Sequence, residues 1–369
     1  MTTKFISTYK DKATPNNGVV SLDRICLLLG NNRLHINTLE RIIIHYVYGG
    51  ICYESICRWP VRDDGTQIHE RLNQRNDVEL LSISEEHKKD PEIRIKLINE
   101  ADIVFLCLPD QAAREALTLI MNTNTRVIDS STAFRTNDAW AYGLPELSAL
   151  QRGEIANAAR VSVPGCHATA FVLAINPLVQ RGILPRGYPV CCHSLTGYSG
   201  GGKALIEQYE TGSFSDINDS LRPTQHYSLN LDHKHLPEMK KFTDLEFQPV
   251  FLPTVCNFYN GMVVTVPLIT RLLINQPSLQ EIHAALTDYY QGETFVRVIP
   301  LDDTKGISQY ALDPTLCNGT NYSEIFVLGN DDQVLVACRL DNLGKGSSGA
   351  AIQCMNITLG LDEGLGLIS

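Results

Sequence analysis

Positive charge is in short supply: 31 Lys and Arg face 41 Asp and Glu across 369 residues, for a formal net charge of −10 with histidine neutral. No long basic run is present, which argues against a nucleic-acid partner, since that would need a basic face to neutralise phosphates. A phosphate-bearing ligand would have to be small, met by helix N-termini and a few local Lys or Arg side chains. No stretch approaches the ~20 consecutive apolar residues of a membrane span. The N-terminus lacks the charged, apolar and small-residue order of a signal peptide. Neither an internal repeat nor a low-complexity tract occurs. Zinc-ligand spacing is missing too, although there are 11 cysteines, an odd and scattered set. That usage reads as reduced thiols in a cytoplasmic chain, with no metal expected.

With 44% hydrophobic and 20% charged residues, the composition is that of an ordinary globular protein. The length favours two domains over one core. From Gly65 onward helices and strands alternate: Gln67 to Arg75 as helix, Val78 to Ser82 as strand, Pro91 to Glu100 as helix, Ala101 to Leu108 as buried strand, Gln111 to Met121 as helix and Thr125 to Asp129 as strand. This order predicts parallel βαβ units in a doubly wound Rossmann-type α/β sheet, with ligands at the carboxyl ends of the strands. After Pro164 the helix Ala168 to Gln180 is followed by strand-like runs at Tyr188 to Leu195, Phe247 to Leu252, Met262 to Pro267 and Thr294 to Val298, an α+β pattern. Gln333 to Leu340 reads as a strand and Gly349 to Gly360 as a helix packing back on the first domain. The resulting division is an atypical segment 1–64, a cofactor domain 65–165 with 335–369, and a catalytic domain 166–334.

Cys166 stands in Ser162-Val163-Pro164-Gly165-Cys166-His167-Ala168, immediately before an apolar helix. A cysteine there meets free N–H groups and the positive end of the helix dipole, which favour a thiolate nucleophile. His233 and His235 lie in His-Lys-His-Leu-Pro-Glu-Met; on an extended segment both would face one side, and either suits proton transfer. Two turns are rich in glycine: Ser199-Gly200-Gly201-Gly202-Lys203 before a helix, and Asn342-Leu343-Gly344-Lys345-Gly346 before the last helix. Glycine lets backbone N–H groups approach an anion, and Lys203 adds charge.

In order along the chain, these motifs together with Asp129-Ser130-Ser131-Thr132-Ala133-Phe134-Arg135 and Tyr142-Gly143-Leu144-Pro145-Glu146-Leu147 resemble the shorter branch of the N-acetyl-γ-glutamyl-phosphate reductases, from about Gly65 to the C-terminus. His167 departs from the pattern, which usually has Tyr or Phe there, and is expected to tune packing beside the nucleophile. The resemblance implies an enzyme of arginine biosynthesis. Cys166 would attack N-acetyl-glutamyl 5-phosphate and release phosphate, NADPH would reduce the resulting thioester, and His235 would protonate the oxygen as the semialdehyde departs. It places Gly65, Pro109, Ser131, Asn342 and Gly344 by the cofactor. Arg135, Ser199, Gly200, Gly201, Gly202 and Lys203 fall by the substrate or its phosphate. A homo-oligomer is expected. Sister chemistry on aspartyl or aminoadipyl phosphate, or an inactive chain keeping the fold, are the alternatives.

The amino-terminal part does not follow the resemblance. Relatives begin with a strand running into a Gly-x-x-Gly-x-x-Gly turn that cradles a pyrophosphate. Aligned on Gly65, the two earlier glycines fall on Trp59 and Arg62. Arg41 to Tyr48 with Gly49-Gly50 is a poorly spaced substitute. Codons for Tyr53 to Asp64, read one base later, are able to spell Met-Lys-Val-Phe-Val-Asp-Gly-Gln-Ser-Gly-Thr-Thr. The expectation is therefore that a base is missing near the Gly65 codon, that residues 1 to about 64 come from another frame, and that the chain as written binds NADPH poorly.

Overall fold

The computed structural model describes residues 65–81, 90–211, 223–303 and 311–367, and the backbone alone at 23–29, 63–64 and 307–308. Trp59, Arg62, Arg41 to Tyr48 and Gly49-Gly50 lie outside the described residues.

A six-stranded, all-parallel sheet forms the first layer, in the order β2-β1-β3-β4-β6-β5. Its strands are β1 (Asp23–Leu29), β2 (Val78–Leu81), β3 (Ile103–Cys107), β4 (Arg126–Asp129), β5 (Ala141–Tyr142) and β6 (Arg160–Ser162). The helices of this half are α1 (Asp63–Asn73), α2 (Pro91–Glu100), α3 (Asp110–Leu117) and α4 (Gln151–Asn157). The central β3 reads Ile-Val-Phe-Leu-Cys with every residue buried, as expected of a strand covered on both faces. Ile103, Phe105 and Cys107 pack towards Ile68 and Leu72 of α1, while Val104 and Leu106 pack towards Ile98, Ala112 and Ala116. Local chemistry sets the helix starts: Asp90 caps α2 by accepting from the Glu92 N–H at 2.9 Å, with Pro91 in the first turn.

The first strand position is filled by Asp23–Leu29, which pairs in parallel with both β2 and β3. No strand was foreseen there from the sequence, because the alternation of elements only becomes regular after Gly65. Between β1 and β3 the strand order reverses direction, which makes the carboxyl ends of these strands the ligand crevice of such a sheet.

The second layer is a mixed seven-stranded sheet, ordered β11-β14-β15-β10-β7-β9-β8. It comprises β7 (Cys191–Gly197), β8 (Gln225–His226), β9 (Val250–Cys256), β10 (Met262–Ile269), β11 (Val296–Val298), β14 (Ser323–Gly329) and β15 (Gln333–Leu340), with a small ribbon of β12 (Ile307–Ser308) and β13 (Ala311–Leu312) alongside. Against one face lies α5 (Cys166–Gln180), whose Phe171, Leu173 and Ile175 share a core with Val264, Val266, Cys338 and Leu340. The further helices are α6 (Lys203–Thr211), α7 (Leu236–Thr243), α8 (Leu279–Tyr289), opened by a Ser278–Glu281 capping box, and α9 (Gly349–Leu359).

Helix α9 returns to the first layer, where Ala351, Ile352 and Met355 join the core of Ile68, Phe105 and Ile128. The strand β15 before it sits inside the mixed sheet, paired with β10 and β14. A boundary at residue 335 therefore cuts through a strand, and the chain leaves the second layer only after Leu340. No helix among the described residues is long and apolar enough to cross a membrane.

Candidate active site

The two layers meet along a cavity of about 760 Å³ that runs from Leu108, Pro109 and Asp110 at the carboxyl end of β3 to Cys166 and His235. Cys166 is the first residue of α5, and Gly165 is the N-cap. Glycine is required at 165, because a Cβ there would lie 2.3 Å from His235 Nε2 and 2.5 Å from an Arg135 guanidinium nitrogen. The Gly344–Ser348 π-turn closes on the other side, where a Cβ at Gly346 would sit 2.8 Å from Cys166 Cβ.

His235 is the N-cap of α7, with helical φ and ψ of −89° and −11°. The histidine segment is thus a turn entering a helix, not the extended run the alternation implied. The rings converge all the same, since the His235 N–H donates to His233 Nδ1 at 3.1 Å and the two ring centroids are 4.6 Å apart. Both line the cavity. One ligand-capable atom from each of Cys166, His167 and His235 falls within 4.8 Å of the others. The sequence contained no metal-like spacing because Cys166 and His235 are remote along the chain.

Electrostatics in this corner differ from the expectation of a lowered thiol. Burial pushes the Cys166 thiol up, while the charges of Arg135 and Lys234 and the His167 backbone N–H pull it the other way. Burial, followed by the charge of Arg135, holds His235 well below the usual imidazole range. The directions of these two shifts favour a resting thiol beside a neutral imidazole.

Glu238 organises the floor. One carboxylate oxygen takes the Arg135 guanidinium at 2.9 Å, and the other accepts from Tyr142 OH at 2.9 Å and from the Gly165 N–H at 3.2 Å. Arg135 also donates to the carbonyls of Val163 and Ser130. Its guanidinium, though at the cavity wall, is therefore engaged within the protein on three sides. Glu238 was quoted in the histidine motif but given no role; its place one helical turn after His235 was the available signal. His167 does more than pack: its two ring nitrogens meet Ser194 Oγ at 2.7 Å and Tyr227 OH at 2.8 Å. Tyr227 carried no sequence signal at all.

The remaining candidates divide. Pro109, Ser199, Gly200, Gly201, Gly202 and Asn342 line the cavity. Asn342 spends its amide on the Gly261 N–H and on Ser199 Oγ, tying the two glycine turns together. Lys203 is exposed at the start of α6 and is not among the lining residues. Ser131 is buried beneath the wall with its hydroxyl on Asp129, and Thr132 takes the cavity position instead. Gly65 lies in the first turn of α1, and Gly344 is pressed against the Thr320 carbonyl, neither lining the cavity. Behind the π-turn, Lys345 is wholly buried and donates to both oxygens of Glu146 at 2.8 Å and to Gln353 at 2.6 Å.

A parallel dinucleotide-type sheet, a mixed sheet and a helix-borne cysteine at their junction define a class of nicotinamide-dependent oxidoreductases. The family models agree, matching residues 61–158 as "Semialdehyde dehydrogenase, NAD binding domain" and 166–342 as "Semialdehyde dehydrogenase, dimerisation domain". The N-acetyl-gamma-glutamyl-phosphate reductase 2 of Nostoc sp. is 47% identical over 312 residues, covering 82% of this chain and 95% of that protein. That of Pseudomonas putida is 43% identical over 298 residues, covering 80% and 93%. The chain belongs to the N-acetyl-gamma-glutamyl-phosphate reductase family. Among solved structures, aspartate semialdehyde dehydrogenase II of Vibrio cholerae shares the fold at a TM-score of 0.58 and 15% identity, covering 80% of this chain and 95% of that one. Aspartate semialdehyde dehydrogenase with NADP from Candida albicans gives 0.58 at 13% identity, covering 91% and 98%.

Proposed function

We propose that this chain reduces N-acetyl-glutamyl 5-phosphate to N-acetyl-glutamate 5-semialdehyde and phosphate, with NADPH as reductant and Cys166 as nucleophile. The observation that carries the reading is the thiol of Cys166 at a helix N-terminus, in one corner with the neutral imidazole of His235.

His235 takes the thiol proton as the sulfur attacks the acyl carbon, and the charge forming on sulfur and oxygen is met by the first-turn N–H groups of α5 and by Arg135. The bond to phosphate breaks, phosphate leaves with a solvent proton, and an acyl thioester remains on Cys166. The continuous cavity fits a nicotinamide cofactor, because it joins the nucleophile to the switch point of the parallel sheet without a barrier. Pro109 and Thr132 would hold that group on one side, and Asn342 with Gly346 on the other. When bound, it supplies the hydride that reduces the thioester carbon. His235 then returns its proton to sulfur, and not to the oxygen as first expected, because the oxygen leaves as the aldehyde carbonyl while the carbon–sulfur bond breaks. Ser199 to Gly202 face the cavity where an acyl chain and its phosphate would lie. The second sheet leaves His193, Leu195, Val250 and Pro267 exposed on its outer face, which suits a homo-oligomer.

The test is the phosphate-dependent reverse reaction, run with N-acetyl-glutamate, aspartate and aminoadipate semialdehydes and with NADP or NAD. We expect turnover with the first substrate and NADP, and a loss of about 10⁴-fold or more in Cys166→Ser. An acyl adduct trapped on a different cysteine, or preference for another semialdehyde, overturns the reading.

A further inference from the structure

Three side chains around the nucleophile have the composition of a soft-metal site. Cys166 offers a sulfur and His167 and His235 offer ring nitrogens, all within 4.8 Å of one another and all on the cavity wall. A tetrahedral zinc-like ion holds sulfur at about 2.3 Å and nitrogen at about 2.0–2.1 Å. Its ligand atoms then stand about 3.3–3.6 Å apart, so the cluster has to contract by up to about 1.5 Å, within the reach of side-chain rotation. His235 Nδ1 is buried with no hydrogen-bond partner among the described residues, and a buried ring nitrogen left so gains from a ligand. One nitrogen of His167 gives up its hydrogen bond to turn to the ion, and the other keeps a hydroxyl partner, Ser194 or Tyr227, that fixes the ring. The nearby guanidinium of Arg135 is matched by Glu238 at 2.9 Å, which reduces its repulsion of a cation. A fourth position opens to the cavity.

We propose that Cys166, His167 and His235 form a binding site for a soft divalent cation of the zinc type, which displaces the thiol proton to solvent and competes with the acyl substrate. That the bound cation inhibits rests on the functional reading above; that it binds does not.

The experiment uses the full chain with zinc chloride as probe. Zinc, and not magnesium, should protect Cys166 from iodoacetamide in peptide mapping, and a chelator should remove the protection. Cobalt(II) should give a thiolate charge-transfer band at one equivalent per chain. Outer-shell changes cost metal sites about 10–100-fold in affinity, so loss of a direct ligand in His167→Phe should cost more than about a hundredfold, and Cys166→Ser should abolish the band. Unprotected alkylation of Cys166 in the unaltered chain overturns the proposal even if His167→Phe does not fold. A cobalt band that persists in Cys166→Ser also overturns it. If zinc protects Cys166 but the reverse reaction is absent, the site stands and the functional reading falls.

Discussion

The two ends of the cavity are built on different principles. At the cysteine end, groups from β7, the turns before α5 and α7, Tyr227 and the Gly344–Ser348 turn converge, and Arg135, Glu238 and His167 each have their polar atoms matched by hydrogen bonds. At the sheet end the wall is Pro109, Asp110 and Thr132, held by the Asp110 carboxylate accepting from the Thr132 N–H at 2.9 Å, with Asp110 exposed. Chemistry needs atoms fixed to a fraction of an ångström, and fixing comes from packing between remote segments. Cofactor binding through backbone N–H groups asks for a permissive chain conformation instead, which is a local property of a turn. Changes at the first end should alter kcat and thiol reactivity, and changes at the second should alter cofactor affinity.

The largest effect that tests this division, short of removing the nucleophile, is at His235. If His235 takes and returns the proton as proposed, His235→Asn should lower kcat by about 10²–10⁴-fold, with NADPH affinity little changed. His233→Asn keeps an acceptor near the His235 N–H and should lose less than about tenfold. Equal, mild losses in both, read from kcat in steady-state assays, would place the proton transfer on another group.

Next in size is the buried pair behind the π-turn. Lys345→Met leaves the Glu146 carboxylate uncompensated and should destabilise the chain by about 3–5 kcal/mol in urea unfolding at neutral pH. Burial alone would raise the Glu146 carboxyl, yet the charge of Lys345 and the hydrogen bonds of Lys345 and Gln353 hold it below its usual value of 4.5. In the unaltered chain this pair therefore contributes stability above pH 4.5 that is lost as the pH falls through the lower folded value. With Lys345 gone the shift reverses, the folded carboxyl takes a proton more readily than the unfolded one, and the stability gap should narrow on acidification from pH 7 towards 5. A gap that stays constant would mean that Gln353 alone keeps the Glu146 carboxylate ionised.

What was readable beforehand follows the same line. The parallel sheet was legible because a strand such as Ile103–Cys107, buried on both faces, must be apolar throughout, and because Asp90 and Pro91 mark a helix start. Cys166 and His235 stood out by local context. Glu238, Tyr227 and the Lys345–Glu146 pair did not, since each matters through contacts made across the fold, up to 199 residues apart for the pair. The lowered thiol expected from the helix dipole was outweighed by burial, which a linear motif does not reveal. The β1 strand was missed for a related reason: Asp23–Leu29 becomes central only by pairing with β2 and β3.

The smallest effect belongs to the sheet end. Aligned on Gly65, a Gly-x-x-Gly-x-x-Gly turn would put glycine where this sequence has Trp59 and Arg62, and glycine allows a closer backbone approach to a pyrophosphate than other residues do. Replacing both with glycine should let N–H groups at the start of α1 meet the anion, a gain of about 1–2 kcal/mol by the scale of helix-terminus interactions. Titration of NADPH followed by its fluorescence should show roughly a five- to thirtyfold tightening. Iodoacetamide labelling of Cys166 should proceed at the same rate in both chains, because nothing at that end changes. If the unaltered chain already binds NADPH tightly, or if glycine at both positions leaves the affinity where it was, then another segment carries the cofactor phosphates. If the labelling rate shifts as well, the two ends of the cavity are coupled and the division between them fails.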